Sequence, residues 1–146
     1  MVKRMILMGK AGSGKTTLIN AMLKNKEESF KTQALCFYDA FIDTPGEYLE
    51  LRSMYKALIV TSADADVIGL VQSCGDNDMR IPPMFASAFP KDVIGIVTKT
   101  DIAKNPEDLS FVREILSDAG VSHIFEVSAY TGDGLLELEG YLQRSE

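Results

Sequence analysis

The segment Gly9-Lys10-Ala11-Gly12-Ser13-Gly14-Lys15-Thr16 has the spacing G-x-x-x-x-G-K-[ST], a pattern suited to gripping phosphate. Its glycines let the backbone curl until successive N–H groups converge on one anion, and the helix behind it adds the positive end of its dipole. Lys15 is placed to reach the β- and γ-phosphate oxygens, Thr16 to ligate Mg²⁺ through its hydroxyl, and Thr17 to continue the loop into the helix. Lys10 lends the loop its backbone, while its side chain reads as a solvated charge. From this composition the pattern arises by chance in about one chain in a hundred.

Two further sets of residues extend the same chemistry. Asp43-Thr44-Pro45-Gly46 closes an apolar run, where a carboxylate can hold Mg²⁺ through water and the Gly46 N–H can meet the γ-phosphate. Thr98-Lys99-Thr100-Asp101 ends a later apolar run. Asp101 can accept hydrogen bonds from N1–H and N2–H of guanine; adenine offers neither donor, so buried acceptors would be left unpaired. Lys99 can lay its aliphatic stem over the base plane, and Ser128-Ala129 can turn a backbone N–H toward O6.

These residues need a scaffold that brings several strand ends together, and the hydrophobic pattern supplies one. Apolar strands over residues 3–8, 34–38, 40–43, 66–72, 92–98 and 123–127 alternate with helical patterns over 15–24, 51–62, 84–89, 105–120 and 133–143. Residues 26–33 are polar and read as loop, and 34–43 as two short strands around Asp39. The expectation is an α/β three-layer P-loop fold: about six mostly parallel strands, helices on both faces, and a single domain over 1–146. The phosphate loop then follows the first strand, and the other motifs close later strands at the carboxyl edge where such sheets bind ligands.

Composition narrows the partners. With 21 acidic against 15 basic residues the formal charge is −6, which argues against non-specific binding to nucleic acid or anionic membranes. No apolar stretch approaches the roughly 20 residues of a membrane span, and no secretory leader is visible. Cys36 and Cys74 lack the spacing of a metal or redox pair and read as buried reduced thiols, so a cytoplasmic protein is expected.

The ordered set 9–16, 43–46, 98–101 and 128–129 resembles the small-GTPase-like P-loop proteins. More narrowly, Lys31-Thr32-Gln33-Ala34 and Ile42-Asp43-Thr44-Pro45-Gly46-Glu47-Tyr48 resemble the EutP/PduV family of ethanolamine and propanediol utilisation. That resemblance implies a bacterial cytoplasmic protein, associated with a catabolic microcompartment, that binds GTP or ATP with Mg²⁺. An acetate kinase activity is attributed to the ethanolamine branch, so acetate becomes a second candidate substrate. A nucleotide-gated docking module for microcompartment shell or cargo is a third reading.

The sequence also departs from an ordinary GTPase. Asp43 follows Lys15 by only 28 positions, within which Thr32 is the candidate switch threonine and Mg²⁺ ligand. Glu47 stands where many GTPases carry a Gln that orients water; as a carboxylate it can act as a base yet repels the γ-phosphate, so hydrolysis is expected to be slow. Phosphoryl transfer calls for cationic help beyond Lys15, and Arg52 and Arg80 are the arginines placed to give it. Thr98 replaces the Asn usual in the base motif, from which a looser base loop is expected. The lone His123 reads as an edge-strand residue rather than a base.

Overall fold

The computed structural model describes residues 3–10, 12–29, 41–44, 46, 52–75 and 81–143. Among them, β1 (Met5–Gly9), β2 (Phe41–Asp43), β3 (Val67–Ser73), β4 (Asp92–Thr98) and β5 (Ile124–Glu126) form one sheet in the order β2-β1-β3-β4-β5. Every ladder is parallel. The expected strand at 34–38 lies outside the described residues.

Helices α1 (Lys15–Ser29), α2 (Tyr55–Ser62), α3 (Pro106–Ala119) and α4 (Leu135–Gln143) cover both faces of the sheet. Side chains alternate between faces along a strand, and β1 shows the result. Met5 and Leu7 join Val67, Val71, Ile94 and Ile96 under Leu18 of α1 and Leu138 of α4. Ile6 and Met8 join Ile68, Leu70 and Val97 under Leu58 of α2 and Leu116 of α3. Two separate cores, one on each side of the sheet, make the three layers. Strands buried on both faces have no polar stripe, which is why β1, β3 and β4 read as nearly continuous apolar runs.

Local chemistry sets the element ends. Asn105 caps α3 by accepting from the Asp108 N–H at 3.3 Å, Pro106 occupies the first turn, and Gly120 ends the helix at φ 95°. Three elements differ from the sequence reading by more than two residues or in helix type. The α1 helix continues through Ser29 rather than giving way to loop at 26, because Lys and Glu are good helix formers and no Gly or Pro interrupts them. Arg52–Met54 is a 3₁₀ turn leading into α2. The expected helix at 84–89 is a 3₁₀ turn, Phe85–Ala88, with Phe89 already extended ahead of Pro90.

The chain order places the site. From β1 the sheet grows outward to β2 on one side and to β3, β4 and β5 on the other. The carboxyl end of β1 is therefore a topological switch point, where α/β sheets open a crevice for a ligand. The phosphate loop occupies that crevice.

Candidate nucleotide site

The loop after β1 folds back tightly over β3. A Cβ at Gly9 would come within 2.7 Å of both Ser13 Oγ and the Val71 carbonyl, so no larger residue fits there without moving the backbone. Gly14 takes a φ of 96°, which turns the chain into α1. Lys15 is only 6% exposed. A buried ammonium must be hydrogen-bonded, and its Nζ donates to the Gly9 carbonyl at 2.7 Å and the Lys10 carbonyl at 3.2 Å. The Lys10 carbonyl also accepts from the Ser13 N–H at 3.0 Å, closing the turn.

Register brings the acidic residue to the same place. Leu7 pairs with Asp43 across the β1–β2 ladder, and Thr16 Oγ1 donates to Asp43 Oδ2 at 2.5 Å. Thr44 is buried and its hydroxyl donates to the Leu7 carbonyl at 2.7 Å, pinning the turn after β2 to β1. Lys15, Thr16, Thr17, Asp43, Thr44 and Gly46 line one open cavity of about 440 Å³, together with Gly12, Gly14 and Lys99.

A second cavity of about 230 Å³ adjoins the first and shares Gly14, Thr17 and Lys99 with it. Its walls are mostly apolar: Leu18, Ile102, Val127, Ala129 and Tyr130, with Thr98 and Asp101 as polar points. The base loop is not loose, contrary to the expectation drawn from Thr98. The buried Thr98 hydroxyl donates to the Ser13 carbonyl at 2.5 Å, and Lys99 Nζ donates to the Gly12 carbonyl at 2.8 Å. Lys99 holds a left-handed φ of 59°, a costly conformation for a residue with a side chain. Those two bonds tie the end of β4 to the phosphate loop.

Asp101 is oriented from the other side. The fully buried Ser128 donates its hydroxyl to Asp101 Oδ1 at 2.7 Å and accepts from the Thr131 N–H at 3.1 Å. The Ser128 N–H is committed to the Asp133 carbonyl at 3.0 Å. Of the Ser128-Ala129 pair, it is Ala129 that lines the cavity.

The remaining sequence candidates fall elsewhere. Arg52 is exposed on its 3₁₀ turn and lines neither cavity. Ala11, Thr32, Glu47, Arg80 and Cys36 lie outside the described residues. His123 is exposed just before β5, at the amino end of the sheet, with its ring 6.0 Å from that of Tyr141. Cys74 is buried; burial foremost, then the charges of Asp108, Asp101 and Glu126, raises its pKa and keeps the thiol neutral. The structure adds Leu18, Ile102, Tyr130 and the Thr131–Asp133 turn, and gives Thr44 of the Asp43–Gly46 motif its pinning role. Of the added residues, only that turn had a local signal, the glycine-flanked stretch Thr131-Gly132-Asp133-Gly134.

Among the described residues no group of three or more His, Cys, Asp or Glu converges on one point, and no helix is long and apolar enough to cross a membrane. The family model for ethanolamine utilisation–propanediol utilisation proteins matches residues 2–144. The chain belongs to the PduV-EutP family. It is 37% identical over 145 residues to the propanediol utilization protein PduV of Citrobacter freundii, covering 99% of this chain and 96% of that protein. It is 35% identical over 144 residues to the protein named "Probable acetate kinase EutP" of Escherichia coli, covering 97% of this chain and 89% of that one. GTPase Era of Haemophilus influenzae is 26% identical over 163 residues, covering 95% of this chain and 53% of Era. In fold, the chain is similar to a bacterial selenocysteine-specific elongation factor EF-Sec, with a TM-score of 0.62 at 21% identity, covering 95% of this chain and 28% of that one. The architecture of this PduV-EutP member is thus the small-GTPase-like P-loop fold expected from its motifs.

Proposed function

We propose that this protein binds a guanine nucleoside triphosphate with Mg²⁺ and slowly cleaves the γ-phosphate. The observation that carries this reading is the pose of Asp101: Ser128 holds one carboxylate oxygen at 2.7 Å, at the wall of an apolar cavity contiguous with the phosphate loop. A carboxylate held there pairs with the N1–H and N2–H of guanine and leaves adenine without a partner. The Ala129 N–H serves O6, and the Lys99 stem covers a face of the ring.

The residues present fit Mg²⁺. The Thr16 hydroxyl spends its single proton on Asp43, which leaves its lone pairs free for a cation. Thr16 would hold the ion directly and Asp43 through water, with phosphate oxygens completing the shell. When bound, Mg²⁺ supplies charge neutralisation between the β- and γ-phosphates. Lys15 then exchanges its loop carbonyls for phosphate oxygens, and the Gly46 N–H meets the γ-phosphate. In hydrolysis, a water oxygen bonds to the γ-phosphorus while the bond to the β–γ bridging oxygen breaks, giving the diphosphate and inorganic phosphate. Glu47, following Gly46, is our candidate for orienting that water; its charge beside the γ-phosphate slows the step. Thr32 is our candidate for a further Mg²⁺ ligand.

The name of the EutP relative favours a second reading. Acetate would take the place of water, its oxygen attacking the γ-phosphorus to give acetyl phosphate and the nucleoside diphosphate. Either reaction is assigned to the cytoplasm, beside the microcompartments of ethanolamine or propanediol catabolism. The deciding experiment is a competition titration of GTP against ATP on nucleotide-free protein with Mg²⁺, followed by turnover with and without acetate. GTP binding at least about a hundredfold tighter supports the guanine reading. ATP binding equally well overturns it, and acetyl phosphate formation then selects the kinase.

A further inference from the structure

We infer that this protein associates as a two-fold dimer through the face at the amino end of β4, with Met84 of each copy seated in a cavity of the other. That face lies at the opposite end of β4 from the nucleotide site, and the inference stands apart from the guanine reading. A cavity of about 280 Å³ opens there between the start of β4, the 3₁₀ turn Phe85–Ala88 and the close of α3. This is many times the roughly 10–15 Å³ that one water needs, so a side chain can enter. Its apolar walls are Ala86, Val93 and Ala119, all buried. The hydroxyls beside them spend their protons within the chain: Ser87 donates to the Met84 carbonyl at 2.7 Å, and Ser122 to the Val93 carbonyl at 3.2 Å. An apolar guest therefore leaves neither proton unpaired.

Met84 lines that cavity and is 66% exposed. It holds a left-handed φ of 63°, a costly conformation for a residue with a side chain. Its backbone is pinned on both sides. The Met84 N–H donates to the Asp118 carbonyl at 2.8 Å, and its carbonyl accepts from the Ser87 N–H at 3.0 Å and the Ser87 hydroxyl at 2.7 Å. A strained, pinned backbone that offers a large apolar side chain to water forms a ready-made knob, and methionine's flexible thioether fits irregular gaps. A knob and a hole on one patch are self-complementary: a two-fold axis passing between them sets each knob into the other copy's hole. The charges on the patch obey the same symmetry. Lys91 and Asp92 both line the cavity, and across the axis Lys91 of each copy faces Asp92 of the other.

The test is sedimentation equilibrium of the full chain from about 1 to 500 μM, the range in which a small interface associates. A reversible monomer–dimer equilibrium is expected. Met84→Gly suits the left-handed backbone while removing the knob, so it should melt no lower than the parent yet raise the dimer dissociation constant about tenfold or more. Lys91→Asp and Asp92→Lys each set like charges against one another and should raise that constant by about threefold to tenfold. Made together, the two exchanges restore opposite charges and should return it to within about threefold of the parent. Circular dichroism checks the fold of each variant. A protein that stays monomeric throughout the range overturns the inference. A dimer that Met84→Gly leaves unchanged overturns it as well, since association then uses another face. Single exchanges that weaken the dimer without recovery in the double overturn the two-fold pairing of Lys91 with Asp92.

Discussion

The two cavities of the site are built on opposite principles. The phosphate cavity is wide, open and lined by glycine backbone, hydroxyls, one lysine and one carboxylate. Its Lys15 hydrogen-bonds to carbonyls of the loop itself, an arrangement a phosphate can take over without any movement of the core. The base cavity is about half that volume, mostly apolar, and its polar groups are already cross-linked: Thr98 to Ser13, Lys99 to Gly12, Ser128 to Asp101. Under the proposed function, charge on a mobile chain of phosphates would be met by exchangeable partners and a rigid heterocycle by fixed ones. Affinity would then reside on the phosphate side, and selectivity on the base side, where a misplaced group leaves the Asp101 carboxylate without its partner.

Substitutions on the two sides separate these contributions. The largest effect is expected from Lys15→Met, which removes several charge-assisted bonds worth roughly 1.5–3 kcal/mol each; affinity for GTP and ATP should fall together by at least about a hundredfold, read by titration calorimetry. A selective loss of GTP alone would contradict the division. Next is Asp101→Asn. The amide accepts from N1–H but presents a donor where guanine also has one, so GTP should weaken about a hundredfold while XTP, with an oxygen at that place, gains by a similar factor. ATP is the control and should move little. The smallest is Ser128→Ala, which leaves Asp101 in place without its orienting bond; GTP affinity should drop about threefold to tenfold. Equal weakening of ATP would show that Ser128 holds the whole pocket rather than the carboxylate.

Much of this arrangement is legible in the chain because each motif encodes a local mechanical need. The spacing of Gly9, Gly14, Lys15 and Thr16 is dictated by the curl of a loop around an anion. Asn105-Pro106 and Gly120 mark the ends of α3 because caps are local chemistry. Residues 26–29 misled for the complementary reason: a polar, charged stretch reads as loop, yet it has strong helix formers and no breaker. Thr98 misled because the identity of a side chain does not announce its partner. The looseness expected from losing an Asn is absent, since the Ser13 carbonyl lies within reach of a hydroxyl.

The alternation of strands and helices, the phosphate loop, and the order in which carboxylates and hydroxyls follow it are written in the chain, because these depend on period and spacing within short segments. Which of them meet is set by long-range packing. The β1–β2 register sets Asp43 beside Thr16; the end of β4 is laid against the phosphate loop, 85 residues earlier in the chain; and the turn after β5 delivers Ser128 to Asp101. Such contacts join segments far apart in the chain, and their geometry is fixed by strand order and by two cores packed on either side of one sheet.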